Sequence, residues 1–327
     1  MVLGDASMEV FNSTLSQMLV LFTFIAIGFV LKKTKLLPDN SASVLSKLES
    51  YFLVPAMIIE SFTKYCRIDT LAENISTLLY SLALLAFAIL IAILLSGLFA
   101  REKKGSNIDV NYQKSIYKYA LSFGNFGFMG NALVLGVFGE AGLFKHLIFT
   151  IPLNAAVYTW GVYILIPKGR SDKNPLLNLL NPIIISLVLG VILGLLNIRD
   201  YMPKFITTTL SNAQSCMGPI AMILTGFVIG GYNFKELLTK KRVYTATALR
   251  LIVIPAVMML ILKYIGTSKE IMTLALFAYS TPLGLNTVVI PAAYDGDTKT
   301  GASMAMISHT LSVITLPIMY LVFITIL

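Results

Sequence analysis

The sequence predicts an all-α polytopic membrane protein with ten transmembrane helices in two inverted five-helix repeats. Three observations predict this fold class. Of the 327 residues, 57% are hydrophobic and 13% are charged, and the mean hydropathy is +0.81. The apolar residues fall in long runs, and the basic residues cluster in alternate loops between those runs. Because each crossing takes about 20 residues, ten helices leave too little chain for a soluble catalytic domain.

Ten long apolar stretches define the expected helices. The first is interpreted as a retained helix and not as a signal peptide, because Lys32 and Lys33 follow its apolar run and no Ala-x-Ala site comes next. We place the helices at 15–31, 44–62, 76–100, 115–138, 143–166, 181–197, 206–230, 243–265, 271–292 and 303–326.

The positions of lysine and arginine predict the orientation. The odd-numbered loops hold 16 of these residues and the even-numbered loops hold 7. Short loops rich in Lys and Arg stay on the cytoplasmic side. We therefore expect a multi-pass protein of the cell (plasma or inner) membrane with both termini extracytoplasmic. Its cytoplasmic loops are predicted at 32–43, 101–114, 167–178 and 231–242.

Composition also bears on partners and cofactors. The net charge of +9 arises from these loops, so nucleic acid is not expected as a partner. Cys66 and Cys216 lie about 150 residues apart without a CxxC motif, and neither histidine has a nearby acidic or cysteine neighbour. We expect no metal site and no cofactor. The expected partners are the lipid bilayer, a small organic anion and a second copy of the chain.

The helix count predicts an internal repeat. Ten helices with both ends on one side divide into five and five, and an odd number per half inverts the second half. The first repeat covers 1–166 and the second covers 181–327, with a cytoplasmic linker at 167–180. Pro55 in helix two and Pro219 in helix seven occupy corresponding places well inside apolar runs.

Helices four and nine each contain an interruption near mid-span. Three glycines and two asparagines occur within 124–131, and a Thr-Pro-x-Gly-x-Asn sequence occupies 281–286. For one such segment the plainer explanation is a glycine that permits close helix packing. Two segments at corresponding places instead predict broken helices that line a polar cavity.

The chemistry of a broken helix predicts an anion site. The second half of the helix begins with unpaired N–H groups and about half a positive charge, which attract a carboxylate. The amides of Asn125 and Asn286 are the first candidates for additional donors, and Asn154 is expected to bond a freed backbone group. The predicted substrate-binding residues are Asn125, Gly127, Gly130, Asn131, Thr281, Pro282 and Asn286, with Asn154, Pro55, Pro219 and Arg250 as secondary candidates.

Few charged residues are assigned to the spans. Glu60, near the outer end of helix two, is the acidic residue that we place within one, so no carboxylate is expected near the midplane to carry a proton. Sodium binding by carbonyl, hydroxyl and amide oxygens stays open. Arg250 lies about 12 Å inside helix eight. The favoured interpretation is that it snorkels to the interface; the alternatives are that it draws anions into the cavity or pairs with Asp295. His309 is interpreted as a packing residue.

Six segments carry a resemblance to a known family. They are IGFVLKKTKLLPDNSASVLSKLESYFLVPAMI within 19–62, GNFGFMGNALVLGVFG at 124–139, NPIIISLVLGVILGLL at 181–196, GPIAMILTGFVIGG at 218–231, ALRLIVIPAVMML at 248–260, and the stretch from STPLGLN to LSVITLPIMYLVF. In this order and spacing they resemble the auxin efflux carrier family, which includes the plant PIN carriers and bacterial organic-acid permeases. The resemblance covers essentially the whole chain.

The resemblance implies an architecture similar to that of the NhaA antiporters and the bile-acid symporters, in which helices four and nine cross at the substrate site. It further implies a dimerising scaffold of helices 1, 2, 6 and 7 and a transport domain of helices 3–5 and 8–10 that moves like an elevator. One departure concerns helix four, where the Gly-x-Pro expected from the family is replaced by Gly130-Asn131-Ala132. The break in helix four must then rely on glycine and asparagine.

The expected function is therefore that of a secondary transporter, an efflux carrier or permease of small organic anions. Carboxylates are the expected class, and elevator-type alternating access is the expected mechanism. Three alternatives stay open: a sodium-coupled organic-anion symporter of the bile-acid type, a membrane ligand sensor that does not transport, and an intramembrane enzyme. An enzyme is not favoured, because it needs nucleophile or acid–base clusters inside the spans.

Overall fold

The computed structural model describes residues 2–100, 109–167, 169, 175–294 and 296–326. Within these ranges every regular element is a helix, which confirms the predicted class of all-α membrane protein. The basic residues predicted at Arg101, Lys103, Lys104, Lys168, Arg170 and Lys173 lie outside the described ranges, as does Asp295.

The helices are numbered here by the apolar segment to which they correspond. Seven stretches are long and apolar enough to cross a membrane: Met8–Lys33, Ser41–Tyr65, Ile68–Leu98, Val110–Phe149, Lys204–Gly230, Lys241–Tyr264 and Lys299–Ile326. The labels are α1 (Val2–Lys33), α2 (Ser41–Tyr65), α3 (Ile68–Leu98), α4 (110–138), α5 (140–165), α6 (Pro182–Leu195), α7 (Lys204–Gly230), α8 (Lys241–Tyr264), α9 (269–293) and α10 (Lys299–Ile326).

Gly139 separates α4 from α5. A continuous helix over Val110–Phe149 would be about 60 Å long, twice the hydrocarbon thickness of a bilayer. Gly139 adopts φ 68° and ψ −168°, a conformation that is essentially restricted to glycine. The helical path is therefore interrupted here, close to the boundary predicted between residues 138 and 143.

Loops of odd number meet at one end of the molecule, which we call the basic end. Lys33 donates to the carbonyl of Tyr232 at 3.1 Å, and Lys299 pairs with Glu236 at 2.7 Å. At the start of α8, Arg242 donates to the carbonyl of Phe99 at 3.3 Å. These contacts join the segments that follow α1, α3, α7 and α9, as the loop charges predict.

Loops of even number meet at the other end, which we call the paired end. Lys64 forms an ion pair with Glu140, and Lys145 forms one with Glu270. Arg199 donates to both carboxylate oxygens of Glu60, at 2.8 and 2.9 Å. These hydrogen bonds raise the pKa of the Arg199 guanidinium above its ordinary value.

Close backbone packing joins α1 to α7 and α2 to α6. A Cβ on Gly226 of α7 would lie 1.8 Å from the carbonyl oxygen of Ile25, and one on Gly194 of α6 would lie 2.6 Å from that of Phe62. No side chain fits at either glycine, so these helix pairs approach at backbone distance.

Two spans contain a widened turn just before a proline. The π turn Glu49–Leu53 precedes Pro55 in α2, and the π turn Leu249–Val253 precedes Pro255 in α8. Proline lacks an N–H and its ring collides with the carbonyl four residues earlier, which a wider turn relieves. By contrast, Pro219 lies inside the continuous helix α7.

The widened turn of α2 holds a carboxyl group that the sequence analysis overlooked, although it lies inside the predicted span 44–62. Glu49 lies within α2, 0% exposed. Glu60 is therefore not the sole acidic residue in the described spans, and its assignment as the one acidic residue within a span is wrong. The reason is local: Glu49 follows the polar first turns of α2, which the hydropathy pattern assigns to the entry of the helix.

Candidate functional site

The breaks in α4 and α9 contact each other directly. The first half of α4 ends at Ser122 and the first half of α9 ends at Tyr279. Between them, the backbone N–H of Asn125 donates to the carbonyl of Pro282 at 2.7 Å. The two interruptions predicted from the sequence therefore meet, and the hydrogen bond ties them together.

Gly124 is required at this crossing by close packing. A Cβ on Gly124 would lie 2.2 Å from Nη2 of Arg250 and 2.5 Å from Oγ1 of Thr281. Both distances are far shorter than real contacts, so Gly124 leaves the space that the guanidinium occupies. The break in α4 needs no proline, because Phe123 and Asn125 leave the helical conformation and Asn125 is held by Pro282.

The Arg250 side chain is buried beside the crossing. It is 1% exposed, and Nε, Nη1 and Nη2 have no hydrogen-bond partner among the described residues. The phenols of Tyr119 and Tyr279 are the groups near enough to act on its charge. The favoured sequence interpretation, snorkelling to the interface, is wrong because the neighbouring helices enclose the side chain. Pairing with Asp295 falls outside the described ranges.

A small cavity of about 50 Å³ lies at the start of the second halves of α4 and α9. One water needs about 10–15 Å³ of such space, so this cavity suits a ligand of a few heavy atoms. Its polar side chains all come from α4, α5 and α9: Tyr119, Asn125, Asn131, Asn154, Tyr158 and Asn286. Gly127 lines it as well.

The opposite wall of the cavity is apolar. Val54 and Ile58 of α2 and Ile183 and Leu187 of α6 are the residues that these two helices contribute. The cavity thus lies between the closely packed helices α1, α2, α6 and α7 and the helices that carry the breaks. Polar contacts to a ligand come from one side alone.

The asparagines are anchored by neighbouring side chains. Asn286 Nδ2 donates to Oη of Tyr119 at 2.7 Å. Asn125 Nδ2 donates to Nε2 of His309 at 3.4 Å, with the His309 Nδ1–H assigned to the carbonyl of Ala305 at 2.7 Å. Each amide nitrogen has a second hydrogen, which this bond leaves available.

Two further asparagines bond to helix carbonyls. Asn131 Nδ2 donates to the carbonyl of Gly127 at 2.5 Å, and its Oδ1 has no partner among the described residues. Asn154 Nδ2 donates to the carbonyl of Thr150 at 3.1 Å. This carbonyl also accepts the backbone N–H of Asn154 at 2.9 Å, so it is not the freed backbone group that was expected as the partner of Asn154. Asn131 therefore offers the cavity an acceptor as well as an amide.

The structure places several predicted site residues outside the cavity lining. Thr281 and Pro282 form the crossing behind it, and Gly130 packs against His146. Pro55 and Pro219 lie in α2 and α7 and do not line the cavity. Sequence reasoning missed Tyr119 and His146, which are buried, and Tyr158, which is half-buried. Their position within one or two turns of a break or of Pro152 was the available signal. In the described ranges no group of three or more His, Cys, Asp or Glu side chains could hold a metal ion.

Comparisons with known proteins match most of the length of the chain. The family described as "Membrane transport protein" matches residues 13–178 and 170–320. An uncharacterized transporter of Methanocaldococcus jannaschii is 25% identical over 304 residues, covering 91% of this chain and 95% of the relative. The uncharacterized transporter YfdV of Escherichia coli is 20% identical over 314 residues, covering 93% and 96%. An uncharacterized transporter of Methanothermobacter thermautotrophicus is 24% identical over 319 residues, covering 94% and 98%.

The match spans both halves of the chain, including both broken helices and the cavity between them. It confirms the resemblance found in the sequence motifs. The chain therefore belongs to the membrane transport protein family, that of the auxin efflux carriers, and is a multi-pass membrane transporter.

Proposed function

We propose that this protein is a secondary transporter of small organic anions, with carboxylates as the substrate class. The observation that carries the proposal is the charge of Arg250. Two half-helix C-termini and two half-helix N-termini meet at the crossing, and their partial charges of about −0.5 and +0.5 sum to roughly zero. Arg250 adds a full positive charge that no described carboxylate contacts. A bound anion would therefore neutralise the net positive charge at the crossing.

The position of the cavity supports carboxylate recognition. The second halves of α4 and α9 begin with backbone N–H groups that have no acceptor within their own helix. The free amide hydrogens of Asn125 and Asn286 lie at the same place. Arg250 lies behind Gly124 and acts through its field, which is strong in a low-dielectric interior.

The two walls of the cavity support elevator-type alternating access. A ligand bound to α4, α5 and α9 makes its polar contacts to one body, while Val54, Ile58, Ile183 and Leu187 present an apolar surface. Such a surface loses no hydrogen bond when the other body slides past it. In this proposal α1, α2, α6 and α7 form the scaffold, and α3–α5 and α8–α10 form the transport domain of two inverted repeats. The shorter helices α5 and α6 and the broken α9 then cross the membrane as well.

Substitution of Arg250 tests the anion proposal. The wild-type protein in proteoliposomes is assayed with [¹⁴C]acetate, lactate and succinate, with and without a sodium gradient. Arg250→Gln should raise the KM for the transported anion about tenfold or more, because a charge-assisted interaction contributes about 1.5–3 kcal/mol. Arg250→Lys should retain part of the affinity.

The matched control is Arg242→Gln, which removes a positive charge from the same helix at the basic end. Its KM should match that of the wild type. An Arg250→Gln protein that reaches the membrane and carries the anion with wild-type KM contradicts the proposal. Accumulation that depends on the sodium gradient would support the sodium-coupled alternative.

The proposal includes a homodimer formed through the scaffold. The outer face of α6 exposes Ile185, Val188 and Ile192, an apolar surface that lipid or a second copy covers. Cross-linking between cysteines placed on α6 in native membranes tests this arrangement, and a wholly monomeric outcome contradicts it.

A further inference from the structure

The carboxyl group of Glu49 has a role that the anion site does not explain. Glu49 is 0% exposed, and neither Oε1 nor Oε2 has a hydrogen-bond partner in the described part of the chain. An ionised carboxylate in such a place costs far more free energy than a neutral acid. Membrane spans rarely hold an acidic residue without a function.

No charged neighbour compensates Glu49. The elements packed against its turn are the rest of α2, α6 and α7. Among the described residues, no charged side chain forms a hydrogen bond with its carboxyl oxygens. On these elements, Lys47, Lys204 and Cys216 are exposed, Glu60 is paired with Arg199, and Lys64 is paired with Glu140.

The nearest parts of α9 and α10 bring no charge either. Leu45, one turn before Glu49, packs against a cluster formed by Leu224 of α7, Leu285 of α9 and Ala305 of α10. His309, one turn beyond Ala305, has its ring nitrogens engaged by Ala305 and Asn125. The carboxyl is thus enclosed by its own helix and by α6 and α7, and the turn before it packs against a cluster that includes residues of α9 and α10.

Glu49 also lies between two cavities. A cleft of about 650 Å³ at the basic end is lined by Ser46 of α2 and by Val288 of α9. Ser46 is three residues before Glu49, one helical turn towards the basic end. Val54, five residues after Glu49, lines the cavity at the crossing. A shift of α9 against α2 would change which cavity reaches the carboxyl.

We propose that Glu49 is the binding site for a coupling proton. The carboxylate takes a proton from water on one side of the membrane, forming an O–H bond, and returns that proton to water on the other side. The buried geometry of this structure accommodates the neutral acid. When the cleft opens to Glu49 the acid ionises, because water then solvates the carboxylate. The idea that this proton drives substrate movement rests on the proposed anion transport.

Infrared spectroscopy of the purified protein tests proton binding without any substrate. The wild type at neutral pH should show the carbonyl stretch of a buried, protonated carboxylic acid, shifted in D₂O. Glu49→Gln should lack this band, and Glu73→Gln, which removes an exposed acid at the paired end, should keep it. If Glu49→Gln does not fold, Glu49→Asp should show a shifted band. A wild-type spectrum without a Glu49-dependent band overturns the proposal.

Transport in proteoliposomes tests the coupling. The probes are [¹⁴C]acetate, lactate and succinate, used first in exchange at equal pH and then in accumulation driven by a pH gradient. One proton per anion allows about tenfold accumulation for each unit of pH difference. Glu49→Gln should keep exchange at equal pH and lose accumulation driven by the pH gradient. Glu49→Asp should show that accumulation again.

The outcomes separate the two proposals. If the wild type exchanges none of the probes, carboxylate transport fails and the infrared arm alone decides whether Glu49 binds a proton. If Glu49→Gln accumulates the probe as the wild type does, coupling through Glu49 is overturned. Loss of both exchange and accumulation in a folded Glu49→Gln protein overturns it as well, because the carboxyl would then serve the movement itself.

Discussion

At the paired end a buried carboxyl group has a charged partner, whereas at and near the crossing two buried ionisable groups have none among the described residues. Glu60 and Glu49 lie on the same helix, and both are buried, at 2% and 0% exposure. Glu60 receives two hydrogen bonds from Arg199, whereas neither Glu49 nor Arg250 has a partner among the described residues. A buried ion pair contributes to a fixed structure, whereas a buried ionisable group without a partner can bind a mobile ion. The contrast is the one expected if the paired end maintains the architecture and the proposed sites at Arg250 and Glu49 bind ions during transport.

The largest effect is expected from filling the space beside Arg250. Gly124→Val should abolish transport, because its side chain would collide with the guanidinium and with Thr281. Uptake into proteoliposomes measures the effect, and size-exclusion chromatography reports folding. Gly97→Ala is the control, because its Cβ would lie 3.7 Å from the nearest atoms, which belong to Lys114. If a folded Gly124→Val protein shows normal uptake, transport does not depend on the present position of the Arg250 side chain.

The next effect concerns the amides at the two breaks. Asn125→Ala and Asn286→Ala should each weaken the apparent affinity about tenfold or more, if each amide gives one charge-assisted hydrogen bond of about 1.5–3 kcal/mol. The double substitution should nearly abolish transport. Tyr119→Phe keeps both amides and removes the hydroxyl that anchors Asn286, so it should have a smaller effect. If both single variants keep wild-type affinity, the two amides do not bind the substrate and the crossing serves helix packing alone.

The smallest effects are expected on the free energy of unfolding, when the environments of Glu60 and Glu49 are changed in turn. Arg199→Met leaves the Glu60 carboxylate buried without its partner and should cost about 3 kcal/mol of unfolding free energy. Glu49→Met removes a carboxyl that has no partner, so it should leave stability unchanged or raise it by about 1 kcal/mol. Thermal unfolding in one detergent measures both. If Glu49→Met is as destabilising as Arg199→Met, Glu49 is a structural residue, and the comparison fails.

Much of the fold follows from the sequence, because hydropathy and loop charge report directly on the bilayer. The boundary at Gly139, the alternating loops and the two interruptions all agree with the pattern. The burial of Arg250 and Glu49 without partners among the described residues did not follow, since a side chain's depth along a helix does not tell which neighbours enclose it. The widened turns before Pro55 and Pro255 decide where these side chains lie. Tyr119 was missed because a tyrosine near a helix end is usually an interface anchor.

The one-sided cavity has a consequence for how such a transporter diversifies. The residues that α2 and α6 contribute to the cavity are Val54, Ile58, Ile183 and Leu187. These four apolar side chains restrict the size of a ligand but do not select for its charge. In the proposed mechanism, exchanging them for smaller or larger aliphatic residues would alter which molecules fit and how freely the two bodies slide, and would leave the polar side chains of the opposite wall unchanged. Selectivity by shape and selectivity by charge can therefore evolve independently, in separate parts of the chain.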